Sequence, residues 1–227
     1  MLTDLDETLK FDSRRLYQRL RAFLPNRSLS RRLIANEALY TCGMENRNIY
    51  FIESGYVKVL MLSQNARQCL LDICAQGDML GESCLLGTER METVIAMTSC
   101  VVRVIPRAEF LDVIFKQNLV EDSLQHLAAK LLEQQQIVSH FVTADSERRL
   151  AATLLRLARK LGKRQDGQLT IDEKITQEEL AEIVGTTRSR VGYFLKRFRT
   201  AGLIEAPSQT ALRVNEARLD EYLQNWL

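Results

Sequence analysis

Apolar and polar residues alternate in short runs from about residue 35 to residue 107, with glycine and asparagine-containing turns between the runs. This period of two predicts antiparallel strands, the clearest at residues 49–62 (interrupted by Gly55), 68–80 and 93–105. Short strands repeated in this way build a barrel or a sandwich. Ahead of them, Leu16, Leu20 and Phe23 are spaced for a helix. Near Glu109 the period lengthens, and apolar residues recur as Val120, Leu124, Leu127, Leu131, Val138 and Phe141. Leu124, Leu131 and Val138 fall on one heptad position and Leu127, Gln134 and Phe141 on the other, about three heptads with one polar interruption. Such a stripe either packs on its own barrel or pairs with a second copy of the chain. The heptad spacing favours a homodimer, with those six residues as its interface. His126 and His140 stand two heptads apart, off the seam on one outer face, where solvent is expected to reach both.

A break at Thr143, Ala144 and Asp145 precedes a further helix, RRLAATLLRLARKLG, apolar on one stripe and basic on the other, which Gly162 and the polar KRQDGQ close. The segment ITQEELAEIVGTTRSRVGYFLKRFRTAGLIE then reads as two helices joined by a tight turn. Thr176 is an N-cap with Glu179 three residues on, a capping box, and Leu180, Ile183 and Val184 supply the buried face. Gly185 permits the sharp turn, and Thr187 caps the second helix. There Val191, Phe194, Leu195 and Phe198 face the core. At about 100° per residue, the opposite face carries Ser189, Tyr193, Lys196 and Thr200, flanked by Arg188 and Arg199 on one side and Arg190 and Arg197 on the other. Five cations and no anion lie between residues 183 and 204. Such a helix suits the major groove of B-DNA, with Arg188, Ser189 and Tyr193 at base edges and the flanking cations at phosphates. Gly192 in that face allows close approach, and Thr176, Gln177, Thr187, Arg190, Lys196 and Arg197 complete the candidate DNA-binding set. A merely solvated charged face is the plain alternative, which the whole helix-turn-helix pattern outweighs. EAPSQTALRV then reads as a two-stranded turn, a wing to lie beside the DNA backbone.

Composition sharpens this picture. The 227 residues hold 31 Lys plus Arg against 29 Asp plus Glu and are 46% hydrophobic, an ordinary globular balance for one or two domains. A net charge of +2 is too small for a polycation. The charge is partitioned, however: residues 146–227 carry 15 basic and 11 acidic side chains, a net of +4, which leaves −2 for the first 145. The opening MLTDLDETLK is acidic where a secretory leader is basic. No apolar run approaches the roughly 18 residues that span a bilayer. A cytoplasmic protein without a membrane partner is expected. Cys42, Cys69, Cys74, Cys84 and Cys100 stand singly, so reduced thiols are expected rather than disulfides, a metal site or an iron–sulfur cluster. Cys84 reads as a buried structural cysteine. With two histidines, no nucleophile–base pair and no phosphate loop, the chain does not read as an enzyme.

Three segments, in this order, carry a family resemblance: YFIESGYVKV at residues 50–59, GDMLGE at 77–82 followed by Arg90, and ITQEELAEIVGTTR with Val191 and Gly192. Over nearly its whole length the chain resembles the Crp/Fnr (cyclic-AMP receptor and fumarate–nitrate regulator) family of bacterial transcription factors. The resemblance implies an α+β protein. Residues 1–118 would be a cyclic-nucleotide-binding-type antiparallel β-barrel (jelly roll), 119–143 a long dimerisation helix, and 144–227 a C-terminal winged helix-turn-helix. It also implies an effector site at Gly81, Glu82, Ser83, Arg90, Met91 and Glu92, with Gln134 and Gln135 on the long helix. Glu82 would receive a ribose hydroxyl and Arg90 the cyclic phosphate, for which a planar, permanently charged fork is suited.

The chain departs from the family pattern at both sites. After Arg90 the family has small residues; here stand Met91 and Glu92. In a strand running from Arg90 to Thr93, residues i and i+2 share a face, which would set the Glu92 carboxylate roughly 7 Å from Arg90, able to neutralise it or to repel a phosphate. Gln134 and Gln135 stand where cyclic-AMP binders carry hydroxyl residues. The candidate effector is therefore a cyclic nucleotide or cyclic dinucleotide, with cyclic AMP itself disfavoured, and an iron–sulfur sensor is excluded because no cysteine precedes Cys42. Ser189 and Tyr193 replace the family's glutamate and arginine base readers, so the operator is expected to differ. The sequence thus points to a homodimeric DNA-binding regulator on a roughly palindromic double-stranded site, with RNA polymerase as a further candidate partner. The alternatives are a ligand-binding adaptor acting through protein contacts and a constitutive DNA binder without effector.

Overall fold

Strand β3 (Asn48–Ser54) is buried on both faces and organises the N-terminal part of the molecule. In the computed structural model, which describes residues 14–24, 29–62, 68–87, 89–165, 167–208 and 210–225, the alternation predicted from the sequence places Tyr50 and Ile52 on one side of this strand and Ile49 and Phe51 on the other. The acidic opening segment lies outside the described residues. Around β3 run β1 (Ser30–Leu33), β6 (Met79–Leu80) and β8 (Cys100–Pro106), in the order β1-β8-β3-β6. A second sheet, β2-β7-β4-β5, is made of β2 (Ala38–Tyr40), β4 (Val57–Leu62), β5 (Gln68–Cys74) and β7 (Thr93–Ala96). All the pairings are antiparallel. Two four-stranded antiparallel sheets thus make up the jelly roll expected from the sequence, and Leu33, Tyr40, Tyr50, Ile52, Val94 and Val102 belong to one buried core. Gly55 turns β3 into β4 with φ +86, where a Cβ would come within 2.5 Å of the Ser99 carbonyl, so only glycine fits.

Helices cover the other face of β3. α1 (Arg14–Arg21) brings Leu16, Tyr17 and Leu20, and α2 (Arg107–Lys116) brings Phe110 and Ile114, into a core with Ile49, Phe51 and Ile105. Three features depart from the sequence reading. β1 lies ahead of the expected β region, because SRRL is too polar to show alternation; only Leu33 is buried. α2 is a separate helix, divided from α3 (Val120–Thr143) at Asn118, whose φ of +55 ends any continuous helix. His126 is buried, not solvated, while His140 is exposed. Asp122, one turn before His126, is buried too and pairs with Arg15 and Arg19 of α1, so this face of α3 is turned inward.

The chain divides into two compact units, 1–136 and 137–227, with the division inside α3. In the second unit, Asp145 caps α4 (Ser146–Leu161) by accepting from the Glu147 and Arg148 amides. α4 buries Leu150, Leu154, Leu157 and Leu161 beneath α5 (Gln177–Val184) and α6 (Arg188–Thr200). The segment KRQDGQ, read as a plain helix stop, falls at a hairpin of β9 (Lys163–Gln165) and β10 (Gln168–Ile171). β10 pairs with β12 (Leu212–Val214), and β12 with β11 (Ile204–Glu205), which makes the wing part of one four-stranded sheet. α7 (Glu216–Gln224), capped by Asn215, closes the chain. Among the described residues no helix is long and apolar enough to cross a membrane.

Candidate DNA-reading helix and effector site

The geometry of the two helices follows from their caps. Thr176 Oγ1 accepts from the Glu179 amide at 3.1 Å, and the Glu179 carboxylate accepts from the Thr176 amide at 2.9 Å, a complete capping box at the start of α5. α5 ends at Gly185 with φ +67, where a Cβ would lie 2.9 Å from the ring of Phe141. Phe141, read as a dimer-seam residue, therefore also packs against this turn, and the Arg149 guanidinium stacks on it at 5.1 Å. Thr187 caps α6 through the Arg190 amide. Val191, Phe194, Leu195 and Phe198 are buried, which fixes the roll of α6 and leaves Thr187, Arg188, Ser189, Arg190, Tyr193, Lys196 and Arg197 exposed.

Gly192 serves the approach of helix to helix. A Cβ there would sit 3.0 Å from Gln177 Oε1, so the glycine lets the start of α5 lie over the middle of α6. Thr176, Gln177, Glu178, Arg188, Arg199 and Ser208 are among the walls of a cleft of about 320 Å³ between α5, α6 and the wing. Two of the expected phosphate or base contacts have partners within the chain. Arg197 Nη1 donates to Glu147 Oε2 at 2.9 Å, a carboxylate that also accepts from the Tyr222 hydroxyl at 3.2 Å. Arg188 Nε lies 3.1 Å from Glu178 Oε1. Glu178 was absent from the residues singled out in the sequence; its position in the first turn of α5, beside the turn that starts α6, was the available signal.

The candidate effector site is built from the segment after β6 and the segment before β7. Arg90 is 1% exposed. Its Nη1 donates to the Gly81 carbonyl at 2.6 Å, its Nη2 to the Asn48 carbonyl and, at 3.4 Å, to Asn46 Oδ1. The guanidinium stacks over Tyr40 at 4.5 Å and faces Tyr50 at 5.7 Å. Gly81, with φ +77, is required here: a Cβ would strike Arg90 Nη1 at 2.5 Å. Glu82 opens the short 3-10 helix Glu82–Leu86 and forms an ion pair with Lys130 of α3.

Glu92 departs from the expected arrangement. β7 starts at Thr93, so Arg90 and Glu92 precede the strand and its two-residue alternation does not apply to them. Glu92 instead accepts from the Tyr40 hydroxyl at 2.9 Å, so Arg90 stacks on the ring and Glu92 bonds to the hydroxyl of the same tyrosine. Burial, then the Glu92 charge, pushes the Tyr40 phenol far above its usual range, which keeps it protonated as the donor. Ser83 is half-buried beside the 3-10 helix start, while Met91 is exposed. Gln134 and Gln135 are also exposed; Lys130 of α3, one turn before Gln134, reaches Glu82 instead. Cys84 is buried, and burial holds its thiol above the ordinary range despite nearby Arg90 and Arg107.

Comparison with known proteins agrees with this architecture. The pattern of the cyclic nucleotide-binding domain matches residues 30–117, and that of the Crp-like helix-turn-helix domain matches residues 148–222. The cAMP-activated global transcriptional regulator CRP of Escherichia coli O6:H1 is 33% identical over 177 residues, 74% of this chain and 81% of that protein. The CRP-like cAMP-activated regulator of Mycobacterium tuberculosis is 29% identical over 183 residues, 78% of this chain and 80% of that protein. Among solved structures, FixK2 from Bradyrhizobium japonicum shares the fold with a TM-score of 0.69 at 17% identity, over 85% of this chain and 96% of its own. The c-di-GMP responsive regulator CLP of Xanthomonas campestris does so with a TM-score of 0.63 at 22% identity, over 87% and 97%. With both domains matched in order and a relative above 30% identity across three quarters of its length, the chain belongs to the Crp/Fnr family of bacterial transcription factors.

Proposed function

We propose that the protein is a cytoplasmic homodimer that binds a roughly palindromic DNA site and controls transcription from it. The observation that carries this reading is α6: its apolar stripe is locked into the core, and its opposite face, with Arg188, Ser189, Arg190, Tyr193 and Lys196, is exposed. The second copy is supported by the seam of α3, where Leu124, Leu131 and Val138 are 63%, 61% and 60% exposed at heptad spacing. Of the other seam residues, Leu127 leans into the core of the first unit and Phe141 packs on the turn between α5 and α6. A two-fold axis through paired α3 helices sets two reading helices about 34 Å apart, one turn of DNA. Regulation then works through the placement of the site and contacts with RNA polymerase.

The experiment is a selection of randomised duplex DNA by the full-length protein. Enrichment of a two-fold-symmetric site with half-sites about 10 base pairs apart is expected. No enriched sequence, together with binding to a protein partner, would instead support an adaptor role.

For the N-terminal unit, the family supports a cyclic nucleotide or cyclic dinucleotide as effector. Arg90 is the donor such a phosphate needs, yet both of its terminal nitrogens already donate to backbone carbonyls, and Glu82 is held by Lys130. This favours a second reading, in which DNA binding requires no nucleotide. Calorimetric titration with cyclic AMP, cyclic GMP and cyclic di-GMP separates the two. Micromolar binding of any one supports a nucleotide switch; no heat from a protein that binds DNA supports the constitutive reading.

A further inference from the structure

Glu178 and Arg188 face each other across the turn of the helix-turn-helix. Glu178 stands in the first turn of α5 and Arg188 is the first residue of α6, with 3.1 Å between Oε1 and Nε. An acid in a first helical turn is ordinarily explained by the backbone amides and the helix dipole. Here the neighbouring Glu179 makes the cap, and the Glu178 carboxylate is turned to the arginine instead. Both side chains are exposed, 56% and 68%, so the pair does little for folding.

Its geometry bears on recognition. The carboxylate lies beside Nε as an ion pair without a hydrogen bond, and among the described residues no hydrogen bond engages the two terminal nitrogens. Those nitrogens are the fork that an arginine presents to N7 and O6 of guanine. A long, flexible arginine at the protein surface would otherwise be drawn to the nearest phosphate, which carries no sequence information. A carboxylate beside it attracts the guanidinium and repels the phosphates, and both effects favour the base over the backbone.

We propose that Glu178 is a positioning residue that determines specificity, holding Arg188 end-on for a guanine and denying it to the DNA backbone. The inference rests on the reading of α6 as the groove-reading helix. It is tested with full-length wild type, Glu178→Gln, Glu178→Ala and Arg188→Ala, in a randomised-DNA selection and in salt titrations on random-sequence duplex. Arg188→Ala identifies the base pair that depends on the arginine. At that pair, Glu178→Gln is expected to lower discrimination by about fivefold or more, with Glu178→Ala doing the same. Both variants should bind random duplex more tightly, with a salt slope steeper by about one per protomer as the released arginine finds a phosphate. Their melting temperatures should match wild type, which separates positioning from a folding defect. Wild-type discrimination in both Glu178 variants would overturn the inference and leave the DNA reading intact. A wild type that enriches no sequence would overturn that reading and the inference with it.

Discussion

Arg90 and Arg188 both stand at positions that the family resemblance marks for contact with an anion or a base, and their surroundings are opposite. Arg90 is 1% exposed and spends its terminal nitrogens on the Gly81 and Asn48 carbonyls between two tyrosine rings. Arg188 has a side chain 68% exposed and a single carboxylate behind it. A buried guanidinium needs partners wherever they come from, because an unpaired charge in the interior is costly. An exposed one needs none and is free to find them on a ligand. The same residue type is thus tied into the framework in the first unit and left exposed in the second.

The largest expected effect breaks this contrast at the buried site. Arg90→Ala leaves two carbonyls without their donor and a gap between Tyr40 and Tyr50, and should destabilise the first unit by about 3 kcal/mol or more. Thermal or denaturant melting checks it; a loss below about 1 kcal/mol would mean that Arg90 is held ready for a ligand rather than built into the fold.

Arg188→Ala is the counterpart. Melting should change by no more than about 0.5 kcal/mol. Specific DNA binding should weaken by about 1 to 3 kcal/mol per half-site, with preference relaxed at one base pair. Unchanged site selection would contradict the role given to Arg188.

The smallest effect concerns pH. The Tyr40 phenol is raised in the folded state by burial and by Glu92, so the folded chain keeps a proton that the unfolded chain releases near pH 10. Its contribution to stability is therefore complete below about pH 10 and declines as pH rises beyond it, by at most about 1.4 kcal/mol per pH unit. Tyr40→Phe should flatten that alkaline decline in a series of melting curves. An identical decline in both proteins would show that the hydroxyl is not the group responsible.

Most of the second unit was legible in the sequence, because caps, turn glycine and apolar spacing are local signals. Thr176, Glu179, Gly185 and Thr187 occupy the roles their residue types suggest, and the four apolar residues of α6 are buried. The β9–β10 hairpin was hidden, since its pairing partner β12 lies some forty residues away. The surroundings of Arg90 were less legible for the same reason. Arg90 and Glu92 were visible as an unusual pair, but their shared partner, Tyr40, is fifty residues distant in sequence. Lys130 was passed over for Gln134, one turn along the same helix, because only the fold shows which of them meets Glu82. His126 was placed in solvent by heptad position alone, and the packing of α1 beside Asp122 reverses that.

If the second unit binds DNA through the cationic face of α6, that binding must fall steeply with salt. The most direct measurement is the affinity of the purified full-length protein for random-sequence duplex as salt rises from 50 to 200 mM. Release of counterions by several Lys and Arg contacts in each protomer should weaken binding by about a hundredfold or more across that range. Affinity that stays flat across it, or no binding at 50 mM, would contradict DNA binding through that face.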